Sequence, residues 1–213
     1  MDNLEEIKSK ISKLNLDEKV YEEVILPSEV TFNERGKPKK YIEATLELLK
    51  AMGGKRIVEL GCMRKLLRHP IDEIRPKCCT DGHSTYLWGA SGAEVISVDI
   101  SWSAVMRARW SCRKFKNVKM VQTDALAFLE HYNDSIDLLF LDAWDVKPGS
   151  NYAENHVLAY QKAKAKLSKE NIVSIDDTDI AGGGKARLLI PLLEQDNYEI
   201  LVQGRQTIAV TRA

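Results

Sequence analysis

The sequence predicts an α/β protein in which a mostly parallel, seven-stranded sheet carries helices on both faces. From Lys55 onward, five short β-rich runs alternate with helical stretches, and this alternation is typical of parallel strands joined by helical crossovers. The chain then ends in two more β-rich runs, YEILVQ and QTIAVTR, separated by Gly204 and Arg205. A two-residue connection of this kind predicts a hairpin, so the last two strands are antiparallel to each other.

The five parallel strands are predicted at RIVEL, EVISVDI, VKMVQ, IDLLFLD and IVSID. The helices between them are predicted at about 82–91, 102–113, 125–132, 152–168 and 185–196. The fourth of these helices is extended to Leu167, because apolar residues keep helical spacing from Val157 to that point.

Residues 1–54 are predicted to form a helical appendage that precedes the main domain, residues 55–213. Three segments have helical character, namely LEEIKSKISKL, KVYEEVI and YIEATLELLKAM. The last is followed by Gly53 and Gly54, which suit a helix C-terminus. The appendage has three open roles: packing on the sheet edge, covering a substrate, or forming a dimer interface.

The composition argues against polyanionic partners. Lysine plus arginine equals aspartate plus glutamate at 31 each, so no basic surface for nucleic acid or anionic membrane is expected. No apolar run approaches the roughly 20 residues of a membrane span, and the acidic N-terminus is unlike a signal peptide. The four cysteines contain no CxxC pair. We therefore expect a cytoplasmic protein with reduced thiols.

Acidic residues follow every predicted parallel strand. They are Glu59, Asp99, Asp124, Asp142 and the pair Asp176-Asp177. In an open parallel sheet, ligands bind beyond the carboxyl ends of the strands, so these side chains are the first candidates for a binding site. Asp99 follows the second strand, where a carboxylate accepts hydrogen bonds from the ribose hydroxyls of a nucleoside.

Two short motifs carry a family resemblance. Glu59-Leu60-Gly61 follows the first strand, and Gly82-His83-Ser84 opens the next helix. With the acidic strand ends, they resemble class I S-adenosylmethionine-dependent methyltransferases, and among these the divalent-metal-dependent O-methyltransferases of the catechol, caffeoyl-CoA and macrocin types. The resemblance implies a Rossmann-like fold and S-adenosyl-L-methionine as cofactor. The cofactor-binding residues that it implies are Glu59, Gly61, Gly82, His83, Ser84, Asp99, Asp124 and Asp142.

The same resemblance implies a magnesium site. In FLDAWD the matching metal ligand is Asp142, and in SIDDTD the matching ligands are Asp176 and Asp177. Three oxygen ligands from neighbouring strand ends suit Mg²⁺, which lowers the pKa of a bound hydroxyl. The implied reaction is methyl transfer to a hydroxyl of a small molecule with two neighbouring oxygens, carried out by a homodimer. In the alternative interpretation, the acid pair only caps a turn.

The general base is predicted less directly. Catechol-type enzymes carry a lysine three residues after the first metal aspartate, where this sequence has Asp145. A carboxylate can take a proton from a hydroxyl, and Lys147 or His156 can reach the same space. The candidate catalytic residues, in order, are Asp145, His156 and Lys147.

An insertion separates the two cofactor motifs. The interval between Gly61 and Gly82 is 20 residues, where the family pattern has 3, and the segment at about 62–80 carries five positive and two negative side chains. It is interpreted either as a lid that recognises a carboxylate or phosphate of an anionic substrate, or as a structural excursion. Two further hypotheses are a disulfide from Cys62 to Cys78 or Cys79, and a metal site. The metal site would comprise Cys62, His69, Cys78 and Cys79.

Other motifs leave alternatives open. AGGGKA lacks the spacing of a phosphate-binding loop and is interpreted as a turn after the fifth strand. A metal-independent methyltransferase would use Asp142 and Asp176 to orient an amine or carbon nucleophile. A nicotinamide-dependent oxidoreductase is disfavoured by the missing GxGxxG. A non-catalytic protein that binds a nucleoside or S-adenosylmethionine is the remaining alternative.

Overall fold

A computed structural model describes residues 4–19, 21, 35–67, 83–180 and 182–212. The strands are β1 (Arg56–Leu60), β2 (Glu94–Asp99), β3 (Val118–Gln122), β4 (Ile136–Leu141), β5 (Leu167–Asp176), β6 (Tyr198–Gln203) and β7 (Gln206–Thr211). The helices are α1 (Leu4–Ile11), α2 (Pro38–Ala51), α3 (Ser84–Ala90), α4 (Trp102–Cys112), α5 (Ala125–His131), α6 (Tyr152–Ala163) and α7 (Leu189–Gln195). None of these helices is both long enough and apolar enough to cross a membrane.

The strands form one sheet with the order β3-β2-β1-β4-β5-β7-β6. Strands β1 to β5 are parallel to one another, and β7 is antiparallel to both of its neighbours. The predicted fold class is therefore confirmed, including the C-terminal hairpin. The strand order reverses between β1 and β4, which opens a crevice at their carboxyl ends.

Apolar cores lie on both faces of the sheet. On one face, Leu48 of α2 and Trp88 of α3 pack with Ile57 of β1. On the other face, Leu129 of α5 and Tyr160 of α6 pack against the same sheet. Because α1 and α2 belong to the first of these cores, the N-terminal helices share the hydrophobic core of the main domain. The domain division at residue 54 stays a prediction.

Two predicted helix bounds are wrong. Helix α6 ends at Ala163, and Lys164–Lys166 form a 3₁₀ turn. Leu167 then begins β5, because it pairs with Ile136 of β4. An apolar residue at helical spacing fits the start of a buried strand equally well, which explains the error. Likewise α7 begins at Leu189 rather than 185, after a 3₁₀ turn over Gly184–Ala186. The predicted helix KVYEEVI lies mostly outside the described residues.

Candidate active site

A cavity of about 480 Å³ lies at the carboxyl ends of β1, β2 and β4. Four of the predicted cofactor-binding residues line it: Gly61, Asp99, Asp124 and Asp142. The other lining residues are Cys62, Arg64, Val98, Ile100, Ser101, Ala125, Ala143, Trp144 and Asp145. The predicted Gly82 lies outside the described residues.

Asp99 is anchored in the cavity wall by the backbone around it. The Cys62 N–H donates to Asp99 Oδ2 at 3.1 Å, and the Ser101 N–H donates to Oδ1 at 2.7 Å. Each carboxylate oxygen can accept two hydrogen bonds and here accepts one from the backbone, so both oxygens keep a lone pair for a ligand. Gly61 adopts φ +89°, and a Cβ there would lie 2.6 Å from the Asp142 carbonyl oxygen. Only glycine lets the loop after β1 pass so close to the end of β4.

The remaining wall of the cavity combines one helix cap with an apolar surface. Asp124 caps α5, because its Oδ1 accepts from the Leu126 N–H at 2.9 Å and the Ala127 N–H at 3.0 Å. Ile100, which is 72% exposed, contributes apolar surface at the cavity. Ala125 adds to this surface. A flat apolar ring can be held on such a surface while polar groups nearby fix its orientation.

Glu59 is fully buried and does not line the cavity. Its carboxylate accepts from Thr85 Oγ1 at 2.7 Å, from Trp88 Nε1 at 3.1 Å and from the Ser97 hydroxyl. These bonds join the end of β1 to α3 and β2, so Glu59 supports the loop after β1 from within the protein. His83, with φ 45°, precedes α3 and is also buried. The predicted Ser84 is the first residue of α3 and is buried as well.

We expect Glu59 to make stability depend on pH. Burial, opposed by the hydroxyl and indole donors, raises the pKa of Glu59 from 4.5 to about 7. The folded state therefore binds the extra proton, and the associated stability is lost as pH rises through about 7. Between about pH 5 and about pH 8, Glu59 should lower the free energy of unfolding of the wild type by roughly 3 kcal/mol, and Glu59→Gln should lack this contribution. Urea unfolding of both proteins at the two pH values measures the difference. Equal pH slopes in the wild type and the variant would contradict the expectation.

Three carboxylates meet beside the cavity, as the sequence predicts. One oxygen from each of Asp142, Asp176 and Asp177 lies within 4.8 Å of the others. Such a set of oxygen donors has the chemistry that Mg²⁺ prefers. The fit of a metal ion then depends on what else lies between these side chains.

Lys185 lies between two of the three carboxylates. Its Nζ is 2.6 Å from Asp142 Oδ1 and 3.1 Å from Asp177 Oδ2, and its side chain is 0% exposed. The AGGGKA turn brings it there: a Cβ on Gly184 would lie 1.9 Å from the Asp177 carbonyl oxygen. The interpretation of this motif as a turn is confirmed. Lys185 itself was not predicted, and the only signal was a lysine beside a glycine run that follows an acidic pair.

Two arginines cover the other side of the cluster. Arg205 donates through Nη2 to Asp176 Oδ2 at 3.0 Å and through Nη1 to Asp177 Oδ1. Arg35 also donates to Asp177 Oδ1, at 2.9 Å, and Gln206 Nε2 donates to Asp176 Oδ1 at 2.8 Å. Sequence patterns missed both arginines, because Arg205 reads as a hairpin turn residue and Arg35 is 142 positions from Asp177.

Burial and neighbouring charges act differently on two acids of the cluster. Burial raises the pKa of Asp142, and Lys185, whose Nζ lies 2.6 Å from Asp142 Oδ1, acts against this shift. Burial also acts on Asp177, but Arg205, Lys185 and Arg35 outweigh it and hold its pKa well below the usual range. The cations around Asp177 therefore keep it ionised.

The three predicted catalytic residues have different surroundings. Asp145 lines the cavity, and burial is outweighed by ion pairs with Arg64 at 2.9 Å and Lys147 at 3.3 Å, which lower its pKa. Lys147 has a 68% exposed side chain and does not line the cavity. His156 is fully buried, its Nδ1 lies 2.6 Å from the Tyr152 carbonyl oxygen, and burial lowers its pKa to about 3.

Only the start of the insertion lies within the described residues. Met63 is buried, and Cys62 is a buried free thiol whose pKa is raised by burial. Arg64 lines the cavity and pairs with Asp145. The hypotheses of a lid, a disulfide and a metal site rest on residues outside the described part of the chain. These are Arg68, His69, Arg75, Lys77, Cys78 and Cys79.

The chain is similar to known methyltransferases in sequence and in structure. A family described as a methyltransferase domain matches residues 78–206, more than half of the chain. The chain belongs to this family. The methyltransferase is similar in structure to an O-methyltransferase from Bacillus cereus in complex with SAH, at 15% identity and a TM-score of 0.57. That match covers 98% of this chain and 90% of the other.

Two further solved structures are similar to the methyltransferase. An SAH-bound methyltransferase from Podospora anserina is 14% identical, with a TM-score of 0.57 and coverage of 100% of this chain and 88% of the other. The magnesium protoporphyrin IX methyltransferase from Synechocystis, also with bound SAH, is 15% identical, with a TM-score of 0.53 and coverage of 82% and 83%. No curated protein sequence matches the chain. At these identities the likeness shows the fold, which is that of class I S-adenosylmethionine-dependent methyltransferases.

Proposed function

We propose that this S-adenosylmethionine-dependent methyltransferase transfers the methyl group to a hydroxyl of a small molecule. The observation that carries the proposal is Asp142. It lines the same cavity as Asp99, and no hydrogen bond from the described residues reaches its Oδ2. A carboxylate oxygen is thus available to a hydroxyl group at the cavity.

The cavity residues fit S-adenosylmethionine. Both Asp99 oxygens keep a lone pair for the ribose hydroxyls, and Ile100 with Ala125 offers an apolar surface for the adenine. Gly61 removes the side chain that would otherwise fill the space beside Asp142. The cofactor would supply an electrophilic methyl group next to the end of β4.

Asp142 is the best-placed proton acceptor for the methyl-accepting hydroxyl. Direct transfer depends mainly on aligning the nucleophile with the methyl group, so a single hydrogen-bond acceptor contributes by orienting the hydroxyl. Asp145 is held by two cations, and His156 is buried away from the cavity. Asp142 therefore takes the role that the sequence assigned first to Asp145.

The Mg²⁺ assistance implied by the resemblance forms no part of this proposal. Such an ion would supply a Lewis acid that lowers the pKa of the substrate hydroxyl. The three carboxylates suit it, but Lys185 Nζ lies between Asp142 and Asp177 in the place that the ion would take. A metal ion does not fit beside this ammonium group, and we route no step of the reaction through it. The homodimer and the cytoplasmic location stay predictions from the sequence.

The proposal is tested by a methyl-acceptor screen with purified protein and S-adenosylmethionine. The panel would contain catechols, hydroxy acids, other hydroxylated aromatics and amines, with SAH formation and product mass as readouts. We expect methylated hydroxyl products, and we expect Asp142→Asn to retain SAH binding while losing turnover. Products formed only from amines would contradict the hydroxyl assignment. SAH binding without turnover on any acceptor would favour the non-catalytic alternative.

A further inference from the structure

The ammonium group of Lys185 is held by Asp142 and Asp177 of the acidic cluster. It donates hydrogen bonds to Asp142 Oδ1 at 2.6 Å and to the Asp142 carbonyl oxygen at 3.2 Å, and it forms an ion pair with Asp177 Oδ2 at 3.1 Å. A lysine ammonium has three donors and no acceptor, so it suits a position among carboxylate and carbonyl oxygens. Lys185 is thus a fixed component of the cluster.

We propose that Lys185 is the built-in cation of this site and occupies the position that a divalent metal ion would take. The cluster of Asp142, Asp176 and Asp177 therefore binds no metal ion.

The other oxygens of the acid pair are also engaged. Arg205 and Gln206 donate to the two oxygens of Asp176, and Arg205 and Arg35 donate to Asp177 Oδ1. Each of these oxygens directs electron density toward an N–H group, whereas a metal ligand directs it toward the ion. A divalent ion would have to displace these donors as well as Lys185.

The charges of the cluster are nearly balanced without a metal ion. Asp179 is fully buried and pairs with Arg35, so four carboxylates face three cationic side chains. The cluster therefore keeps a net charge of one negative unit. Four carboxylates without these cations would present four negative charges to a divalent ion. The attraction that drives metal binding at an acidic cluster is thereby largely removed.

The backbone holds Lys185 in place. Its N–H donates to the Asp177 carbonyl oxygen at 3.2 Å, and the buried 3₁₀ turn Gly184–Ala186 packs against the same residue. The Lys185 side chain is 0% exposed, so an ion from solution would have to displace a buried ammonium group.

A fixed lysine changes which substrates the site selects, and this step rests on the proposed function. A metal ion selects acceptors with two neighbouring oxygens, because it binds both of them. Here the group that Asp142 offers at the cavity is a carboxylate, which accepts a hydrogen bond from one hydroxyl without a second oxygen beside it. The site therefore does not require two neighbouring oxygens in the methyl acceptor.

The test uses Mn²⁺ as the probe and needs neither cofactor nor substrate. The paramagnetic resonance signal of free aqueous Mn²⁺ is recorded with the chelator-treated wild-type chain, with Asp142→Ala, and with Lys185→Met, which keeps an unbranched side chain of nearly the same length and removes the charge. Binding of Mn²⁺ by the protein lowers this signal. We expect the wild type to lower it no more than the variant at Asp142 does. We expect folded Lys185→Met to take up about one equivalent, because three carboxylates then lose their central cation.

Each outcome decides the proposal. If the wild type binds Mn²⁺ and Asp142→Ala does not, the proposal is overturned. If both bind Mn²⁺ equally, the ion lies elsewhere and the cluster is free of metal. Folded Lys185→Met that takes up no Mn²⁺ overturns the role of Lys185. If that variant does not fold, the comparison of the wild type with Asp142→Ala decides. Failure of the proposed function would appear separately, as absence of turnover in the acceptor screen.

Discussion

Replacing Asp99 with alanine should weaken SAH binding by ~100-fold or more, because two hydrogen bonds from ribose hydroxyls to a carboxylate are lost. The side chain lines the cavity and is already oriented by the Cys62 and Ser101 N–H groups. An oriented acceptor loses little conformational freedom when the ligand binds, so its contribution to affinity is large. Isothermal titration of the purified protein with SAH measures the effect.

The control variant for this titration is Asp134→Ala. Asp134 is exposed, lies in the loop before β4, and does not line the cavity that Asp99 lines. We expect its SAH affinity to equal that of the wild type. Thermal unfolding of Asp99→Ala checks that the loop after β1 still folds, because the Cys62 N–H loses its acceptor in this variant. Unchanged affinity in a folded Asp99→Ala protein would show that SAH does not bind in this cavity.

Gly184→Ala should lower the free energy of unfolding by about 3 kcal/mol or more. The added Cβ would lie 1.9 Å from the Asp177 carbonyl oxygen and 3.0 Å from its carbon, and both are backbone atoms. The turn would have to open, and Lys185 would be drawn away from Asp142 and Asp177. Burying these carboxylates without their central cation adds an electrostatic cost to the steric one. Chemical denaturation measures the change.

Gly149→Ala is the matched control for this substitution. Gly149 has φ +74°, compared with +51° for Gly184, but no atom lies within 4 Å of its Cβ position. It therefore isolates the cost of a left-handed backbone, about 1 kcal/mol. Equal destabilisation by the two variants would show that close packing at Gly184 contributes nothing.

Much of the fold could be predicted because its determinants are local. Strand runs such as Arg56–Leu60 and Glu94–Asp99 are short and rich in Val, Ile and Leu, and Gly204 with Arg205 marks the hairpin. The errors occurred where two local structures share one pattern. Leu167 fits a helix face and a buried strand equally well, and only pairing with Ile136 decides for the strand.

The acidic half of the site could also be predicted. Asp99, Asp142 and the pair at Asp176 follow strands, and the carboxyl ends of parallel strands meet at one edge of the sheet. The cationic half could not be predicted in this way. Lys185 and Arg205 reach the cluster from turns, where no periodic pattern fixes the direction of a side chain.

The sequence by itself determined the α/β class, the hairpin and the strand-end carboxylates, because each depends on the order of residues along short segments. Tertiary structure decided the partners of those carboxylates. Glu59 proved to be a buried support bound to Thr85, Trp88 and Ser97. Asp142 faces both Lys185 and the cavity. These pairings join segments far apart in the chain, and their energies depend on burial and distance, which exist only after the chain has folded.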